Sequence, residues 1–134
     1  MRAVRALFHD VLATVAAKDL YIADRNMCTL PFLFGLEEKQ AAFVIREHKT
    51  MPWQALEELR TLGRVDAGEL CAQTVLLSYQ GQELQVRRVC LKLDQPTRDG
   101  DIEIALFSNL PVAVASATLV AQLYRKRWTL EEWH

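Results

Sequence analysis

The chain has 134 residues, of which 51% are hydrophobic and 25% are charged. This composition is typical of one globular domain with a single hydrophobic core, and no apolar run is long enough to span a membrane. Sixteen basic and seventeen acidic residues give a net charge of −1, which mildly opposes a nucleic-acid partner. Any contact with DNA would therefore come from local basic patches. The three cysteines fit neither a zinc pattern nor a disulfide framework, so we expect buried free thiols.

The first third of the chain is predicted to form a helix followed by a strand–helix–strand unit. Hydrophobic periodicity predicts a helix over residues 2–17, a strand over 20–23, a helix ending near 39 and a strand over 41–46. Thr29 is a candidate N-cap, and Pro31 fits the first turn of the second helix. Because a helix connects the two strands, we expect them to pair in parallel.

The rest of the chain is predicted to be mainly β-structure. The elements are an irregular polar stretch over 47–71, hairpin strands over 74–79 and 83–93, a strand over 101–107 and a helix over 115–127. The alternation of apolar and polar residues in the strand over 83–93 is interrupted near Arg87-Arg88, where we expect a bulge. Trp53 follows a proline in a loop, and we expect it to pack on the core and not to stack on a base.

Four cations on the β-rich part admit two interpretations. Phosphates attract cations whatever the base sequence, so these side chains suit a DNA backbone. Charged alternation is equally typical of the exposed face of an antiparallel strand. The four are Arg87, Arg88, Lys92 and Arg98.

Asp24 is the first candidate site residue, because it directly follows the predicted strand over 20–23. Open α/β sheets bind their ligands at the carboxyl ends of the strands, where such a carboxylate would lie. Aspartate is also a common turn residue, and the local sequence does not separate these roles.

The C-terminal segment carries the second candidate group. In a helix, Tyr124, Arg127 and Glu131 stand at i, i+3 and i+7 and so share one face. A phenol, a guanidinium and a carboxylate on one face suit a site that binds phosphate and a metal ion. The same spacing also fits a surface helix with an Arg127–Glu131 ion pair, and both interpretations stay open.

The two groups together resemble the signatures of IS4-type bacterial insertion-sequence transposases. The matching residues are Asp24-Arg25 after an apolar strand, and Tyr-x-x-Arg-x-x-x-Glu over 124–131 with Trp128 after the arginine. The resemblance implies an α/β fold: a partial RNase H-like core, as in DDE transposases and integrases, with an inserted antiparallel β-rich segment. It implies a single partial catalytic domain over 1–134, in which 1–49 and 108–134 are core pieces and about 50–107 the insertion.

The resemblance also implies a chemistry and partners. Enzymes of this kind cleave and transfer DNA strands with two divalent cations held by carboxylates. Asp24 and Glu131 would be catalytic and would bind Mg²⁺ or Mn²⁺, whereas Tyr124, Arg127 and Arg25 would contact DNA phosphate. The expected partners are DNA at transposon ends and either a second copy or a full-length transposase. The expected location is the bacterial cytoplasm, with no membrane contact.

Two family features have no counterpart in the sequence. The family has an earlier aspartate on a core strand and a lysine seven residues beyond its glutamate, whereas this sequence has 23 residues before Asp24 and ends at His134. We therefore expect a truncated transposase that is inactive alone, with a metal site that is weak or absent. The alternative is a non-catalytic binding module, for example a remnant that hetero-oligomerises with a full-length transposase.

Overall fold

A computed structural model describes the backbone of residues 19–132 and the side chains of residues 19–126. The helix predicted over residues 2–17 lies outside this range. The described elements are β1 (Leu20–Ala23), a 3₁₀ turn (Arg25–Met27), α1 (Leu30–Glu38), β2 (Ala42–Arg46), β3 (Gln54–Ala55), β4 (Arg60–Val65), β5 (Gly68–Tyr79), β6 (Gln82–Leu93), β7 (Glu103–Ser108) and α2 (Ala117–Glu132).

The seven described strands form one mixed sheet. Its order is β1-β2-β7-β6-β5, and β3 and β4 both pair with the outer edge of β5. β1 and β2 are parallel, as predicted, whereas every other pair is antiparallel. With a helix on each face, the described part of the chain is a mixed α/β protein.

The connection between β1 and β2 follows its local sequence signals. Thr29 caps α1 because its Oγ1 accepts a hydrogen bond from the Phe32 amide at 3.4 Å, and Pro31 lies in the first turn. The helix ends at Glu38, and Gln40 adopts a left-handed conformation with φ 61° before β2 begins. This geometry returns the chain to the sheet beside β1.

A two-residue turn sets the register of the long hairpin. Gln80 and Gly81 both have positive φ, 49° and 77°, as a type I′ turn requires. Pairing then runs without interruption from Tyr79↔Gln82 to Gly68↔Leu93. The bulge predicted at Arg87-Arg88 is therefore wrong, and the one register shift among the described pairs lies in β4 between Thr61 and Gly63.

The prediction of an irregular stretch over 47–71 is also wrong in part. It contains β3, β4 and the start of β5, and Asp66-Ala67 form the tight connection between β4 and β5. The edge strands β3 and β4 are exposed along nearly their whole length, so their sequences carry little hydrophobic alternation. Their pairing with β5 decides their conformation.

The register divides the sheet into two apolar faces. α1 packs on one face with a cluster that includes Phe32, Leu36, Phe43, Ile45, Val75 and Phe107. α2 packs on the other face with a cluster that includes Val44, Leu70, Val89, Leu91, Leu106, Val120 and Tyr124. Alternate residues of each central strand thus enter opposite cores.

Gly68 should not tolerate a side chain, since a Cβ at this position would lie 1.9 Å from the backbone oxygen of Lys92 in β6. We expect Gly68→Ala to lower the free energy of unfolding by about 1–3 kcal/mol or more, because the obstacle is backbone. Urea unfolding monitored by circular dichroism measures the change. Ser78→Ala, at an exposed position of the same strand, should stay within about 0.5 kcal/mol of wild type. Equal stability of both variants would contradict the close approach of the Lys92 backbone to Gly68.

Candidate active site

Asp24 lies directly after β1, at the carboxyl end of a strand in a parallel pair. Its Oδ1 accepts a hydrogen bond from the Asn26 amide at 2.9 Å and caps the 3₁₀ turn that follows. The residue is partly buried. Asp24 therefore acts as a turn residue, which is one of the two roles considered for it from the sequence. This role is compatible with a ligand role, because an ionised carboxylate has about four acceptor positions.

Two arginines lie near the turn that begins at Asp24. Ala23 and Ile45 form the last pair of the parallel ladder, and Asp24 and Arg46 are the residues that follow this pair in the two segments. Arg25 and Arg46 both approach Asp101 Oδ2, with their Nη atoms at 3.7 Å and 2.6 Å respectively. The predicted phosphate ligand Arg25 thus already has an ion-pair partner within the chain.

Arg46 and Asp101 also belong to this group, although neither was predicted as a site residue from the sequence. Arg46 ends β2, and Asp101 lies two residues before β7, in the turn-rich connection that follows β6. Antiparallel pairing of β2 with β7 places this connection near the end of β2, because Arg46 pairs with Leu106. The only sequence signal was an aspartate in a turn, which is too common to indicate a long-range contact.

α2 runs toward the same edge of the sheet. The segment before it lies at the amino end of β2, because Asn109 accepts from the Phe43 amide at 2.8 Å and donates to the Ala41 carbonyl at 2.9 Å. Arg125 lines a cavity of about 350 Å³ with Thr97 and Ile104, which lie beside the start of β7. The helix continues to Glu132, about 10 Å beyond Arg125 at the usual rise.

The structure brings the predicted C-terminal residues onto one helix but describes only one of their side chains. α2 includes Tyr124, Arg127 and Glu131 and is longer than the predicted span of 115–127. The Tyr124 side chain is 3% exposed and belongs to the core between α2 and the sheet. The side chains of Arg127 and Glu131 lie outside the described ones. Phosphate contacts of Tyr124 and Arg127 and the meeting of Asp24 with Glu131 therefore stay predictions.

The chemistry at Asp24 suits an oxygen-ligated cation in part. A carboxylate at a partly buried strand end is a ligand type that Mg²⁺ prefers. Among the side chains of residues 19–126, no group of three or more histidines, cysteines or carboxylates could hold a metal ion. Asp24 thus offers one ligand, and Glu131 is the predicted second.

Two of the four cations considered for DNA contact serve the fold. Arg87 donates two hydrogen bonds to the Leu110 carbonyl, at 2.7 and 3.1 Å. Arg88 pairs with Glu47 at 2.5 Å, and its guanidinium lies 4.7 Å from the centre of the Trp53 ring. Trp53 also packs against the core on the α1 side, as predicted. These contacts hold β6 to its neighbours and favour a structural role for both arginines.

Arg88→Leu should destabilise the protein because it removes the ion-pair partner of Glu47, whose side chain is only 12% exposed. We expect a loss of about 3–5 kcal/mol in the free energy of unfolding. Lys92→Leu is the matched control on the same strand, since its contact with Glu69 spans 3.9 Å and is half-exposed. It should change stability by less than about 1 kcal/mol. Similar losses in urea unfolding for both variants would contradict a special role of Arg88.

The cysteines are free and buried, as predicted. Burial raises the pKa of the Cys28 thiol to about 11, with the Glu47 charge adding to the increase and a backbone hydrogen bond at His48 opposing it. Burial also raises the pKa of the Cys90 thiol to about 11, against the influence of the Arg88 guanidinium. Both thiols are therefore protonated and poorly nucleophilic at neutral pH.

These raised pKa values predict an alkaline loss of stability. Between pH 9 and 11 the two thiols stay protonated in the folded protein but ionise in the unfolded chain, so stability falls as pH rises through this range. Urea unfolding at about pH 8 and pH 10.5 should show a smaller loss for the Cys28→Ala/Cys90→Ala variant than for wild type. An equal loss in both proteins would mean that other groups cause it.

The fold and this edge of the sheet define a class of protein: an α/β domain with a carboxylate and arginines at the end of parallel strands. The chain belongs to the transposase DDE domain family, whose sequence model matches residues 2–134. No curated protein matches it significantly. Domains of this family in general bind DNA and use divalent metal ions. In the described residues, no helix is long and apolar enough to cross a membrane.

Proposed function

We propose that this chain contributes DNA binding and two metal-ligating carboxylates to the DNA strand cleavage and transfer of an IS4-type transposase. The observation that carries the proposal is the position of Asp24 at the carboxyl end of β1, at the edge toward which α2 carries Glu131. The proposal includes an RNase H-like core. Its support is the parallel β1–β2 pair joined by α1, with α2 on the opposite face.

Each site residue has a distinct task in this proposal. Asp24 and Glu131 bind divalent cations, and Arg25 and Arg127 bind phosphates beside the reacting strand, where a guanidinium offers two parallel donors. Tyr124 secures α2 in the core and reaches the phosphate only through its hydroxyl. Held by these carboxylates, divalent cations would supply activation of the attacking oxygen and stabilisation of the leaving oxygen. Further carboxylates are needed to hold two cations, and other residues of the assembled transposase would supply them.

In this proposal the segment over about 50–107 is the inserted part of the domain. It contributes the β5–β6 hairpin and ends with β7, which returns beside β2. Asp101 precedes β7 and connects this return to the Asp24 turn through two arginines. The insertion therefore shapes the edge at which the carboxylates lie.

Metal binding tests the proposal directly. Calorimetric titration with Mn²⁺ should show weak binding by the wild-type chain, because two carboxylates make an incomplete site, and Asp24→Asn and Glu131→Gln should each weaken it further, by at least about tenfold. Asp66→Asn is the control, because Asp66 is an exposed turn residue of the β4–β5 connection. Equal affinity in all four proteins would overturn the metal site.

A second candidate function is a non-catalytic module that associates with a full-length transposase. The balanced charge of the chain and the structural use of Arg87 and Arg88 favour it, since they leave fewer cations for DNA. The same titration separates the candidates. This module would show neither a response to Mn²⁺ nor binding to duplex DNA, but would still bind the intact transposase.

A further inference from the structure

Asp101 makes two unequal ion pairs at the edge of the sheet that carries Asp24. Its Oδ2 lies 2.6 Å from Arg46 Nη2 and 3.7 Å from Arg25 Nη1. The side chain of Arg46 is 15% exposed, whereas that of Arg25 is 46% exposed. The first pair is short, and its arginine is largely shielded from water, although the Asp101 side chain is 34% exposed. The second pair is long and exposed to solvent. An arginine in such a pair can change its anionic partner at little cost in free energy.

The position of Asp101 does not depend on Arg25. The Asp101 amide donates to Thr97 Oγ1 at 3.0 Å, and its carbonyl accepts from the Thr97 amide at 2.8 Å. The Arg46 contact then fixes the carboxylate from the side of β2. The turn and Arg46 together hold a negative charge at a fixed place beside Arg25.

A carboxylate and a phosphate offer a guanidinium the same kind of acceptor, two oxygens that carry negative charge. Arg25 therefore has a partner of the type that a DNA phosphate would replace. Arg46 cannot change its partner as readily, because its own side chain is only 15% exposed and its contact with Asp101 is short, 2.6 Å. Only the Arg25 side of this arrangement is open to a competing anion.

We propose that Asp101 is a positioning residue that occupies, in the DNA-free protein, the place at Arg25 taken by a DNA phosphate in the complex. Arg46 keeps Asp101 in place during the exchange, so the loop before β7 sets both the orientation of Arg25 and the strength of its phosphate contact. This inference rests on the proposed DNA-binding function and adds an intramolecular competitor to it.

Replacement of the competing charge tests the proposal. Asp101→Asn keeps an oxygen that accepts from Arg46 but removes the negative charge beside Arg25. Its affinity for a fluorescent duplex oligonucleotide of arbitrary sequence, measured by anisotropy, should rise about two- to fivefold, the size expected for an exposed ion pair. The dependence of log affinity on log salt should also steepen, by up to about 0.9, because the variant no longer exchanges one ion pair for another.

Three controls separate this role from a general effect of charge or folding. Asp94→Asn removes the same charge from the same connection, where Asp94 pairs with Arg64 and not with Arg25. Asp101→Glu restores the charge and should bind DNA as wild type does. Asp101→Asn added to Arg25→Gln should give no gain over Arg25→Gln alone, whereas a general effect of charge or stability would raise the affinity in that background as well. Thermal unfolding of each variant confirms that it is folded.

The outcomes distinguish this inference from the proposed function. A gain of equal size in Asp94→Asn, or one that persists without Arg25, would overturn the role of Asp101. DNA binding that depends on Arg25 but is unchanged by Asp101→Asn would overturn it as well, and would leave the proposed function intact. If neither wild type nor any variant binds the duplex at low salt, both proposals fail.

Discussion

The two-residue turn Gln80-Gly81 is the local constraint on which the architecture depends. Its positive φ angles fix which residue of β5 faces which residue of β6, and a shift by one residue would turn every side chain to the wrong face. With this register, one set of alternate residues meets α1 and the other meets α2. β6 then pairs with β7, and β7 pairs with β2. The register of the hairpin is therefore passed along the sheet to β2, at the end of which the candidate site lies.

The charged edge beside Asp24 depends on contacts between distant parts of the chain. Arg46 ends a core strand, whereas Asp101 comes from the connection that follows the hairpin. Their short ion pair joins the β-rich part to the strand–helix–strand unit. The position of Arg25 beside Asp24 therefore depends, through one carboxylate, on a segment in which the sequence indicated only Arg98 as a candidate for DNA contact.

Local sequence signals predicted the elements whose residues are buried or capped. β1, α1 and β2 appear close to their expected bounds, because apolar runs and the Thr29 cap act through neighbouring residues. β3 and β4 were missed because exposed edge strands need no apolar alternation. The expected bulge at Arg87-Arg88 was wrong because the sequence does not show the long-range partners of Arg88. Arg88 interrupts an apolar face, yet Glu47 and Trp53 give it partners on that face.

The sequence by itself determined the family-like spacing of Asp24-Arg25 and of Tyr124, Arg127 and Glu131, since these motifs lie within single elements. It also determined the parallel pairing of β1 with β2, because a helix connects them. Only the tertiary structure decided that Tyr124 lies in the core, that Arg88 pairs with Glu47, and that Asp101 stands against Arg25 and Arg46. These contacts join residues far apart in the chain, and their partners are selected by strand order and register, which no local pattern encodes.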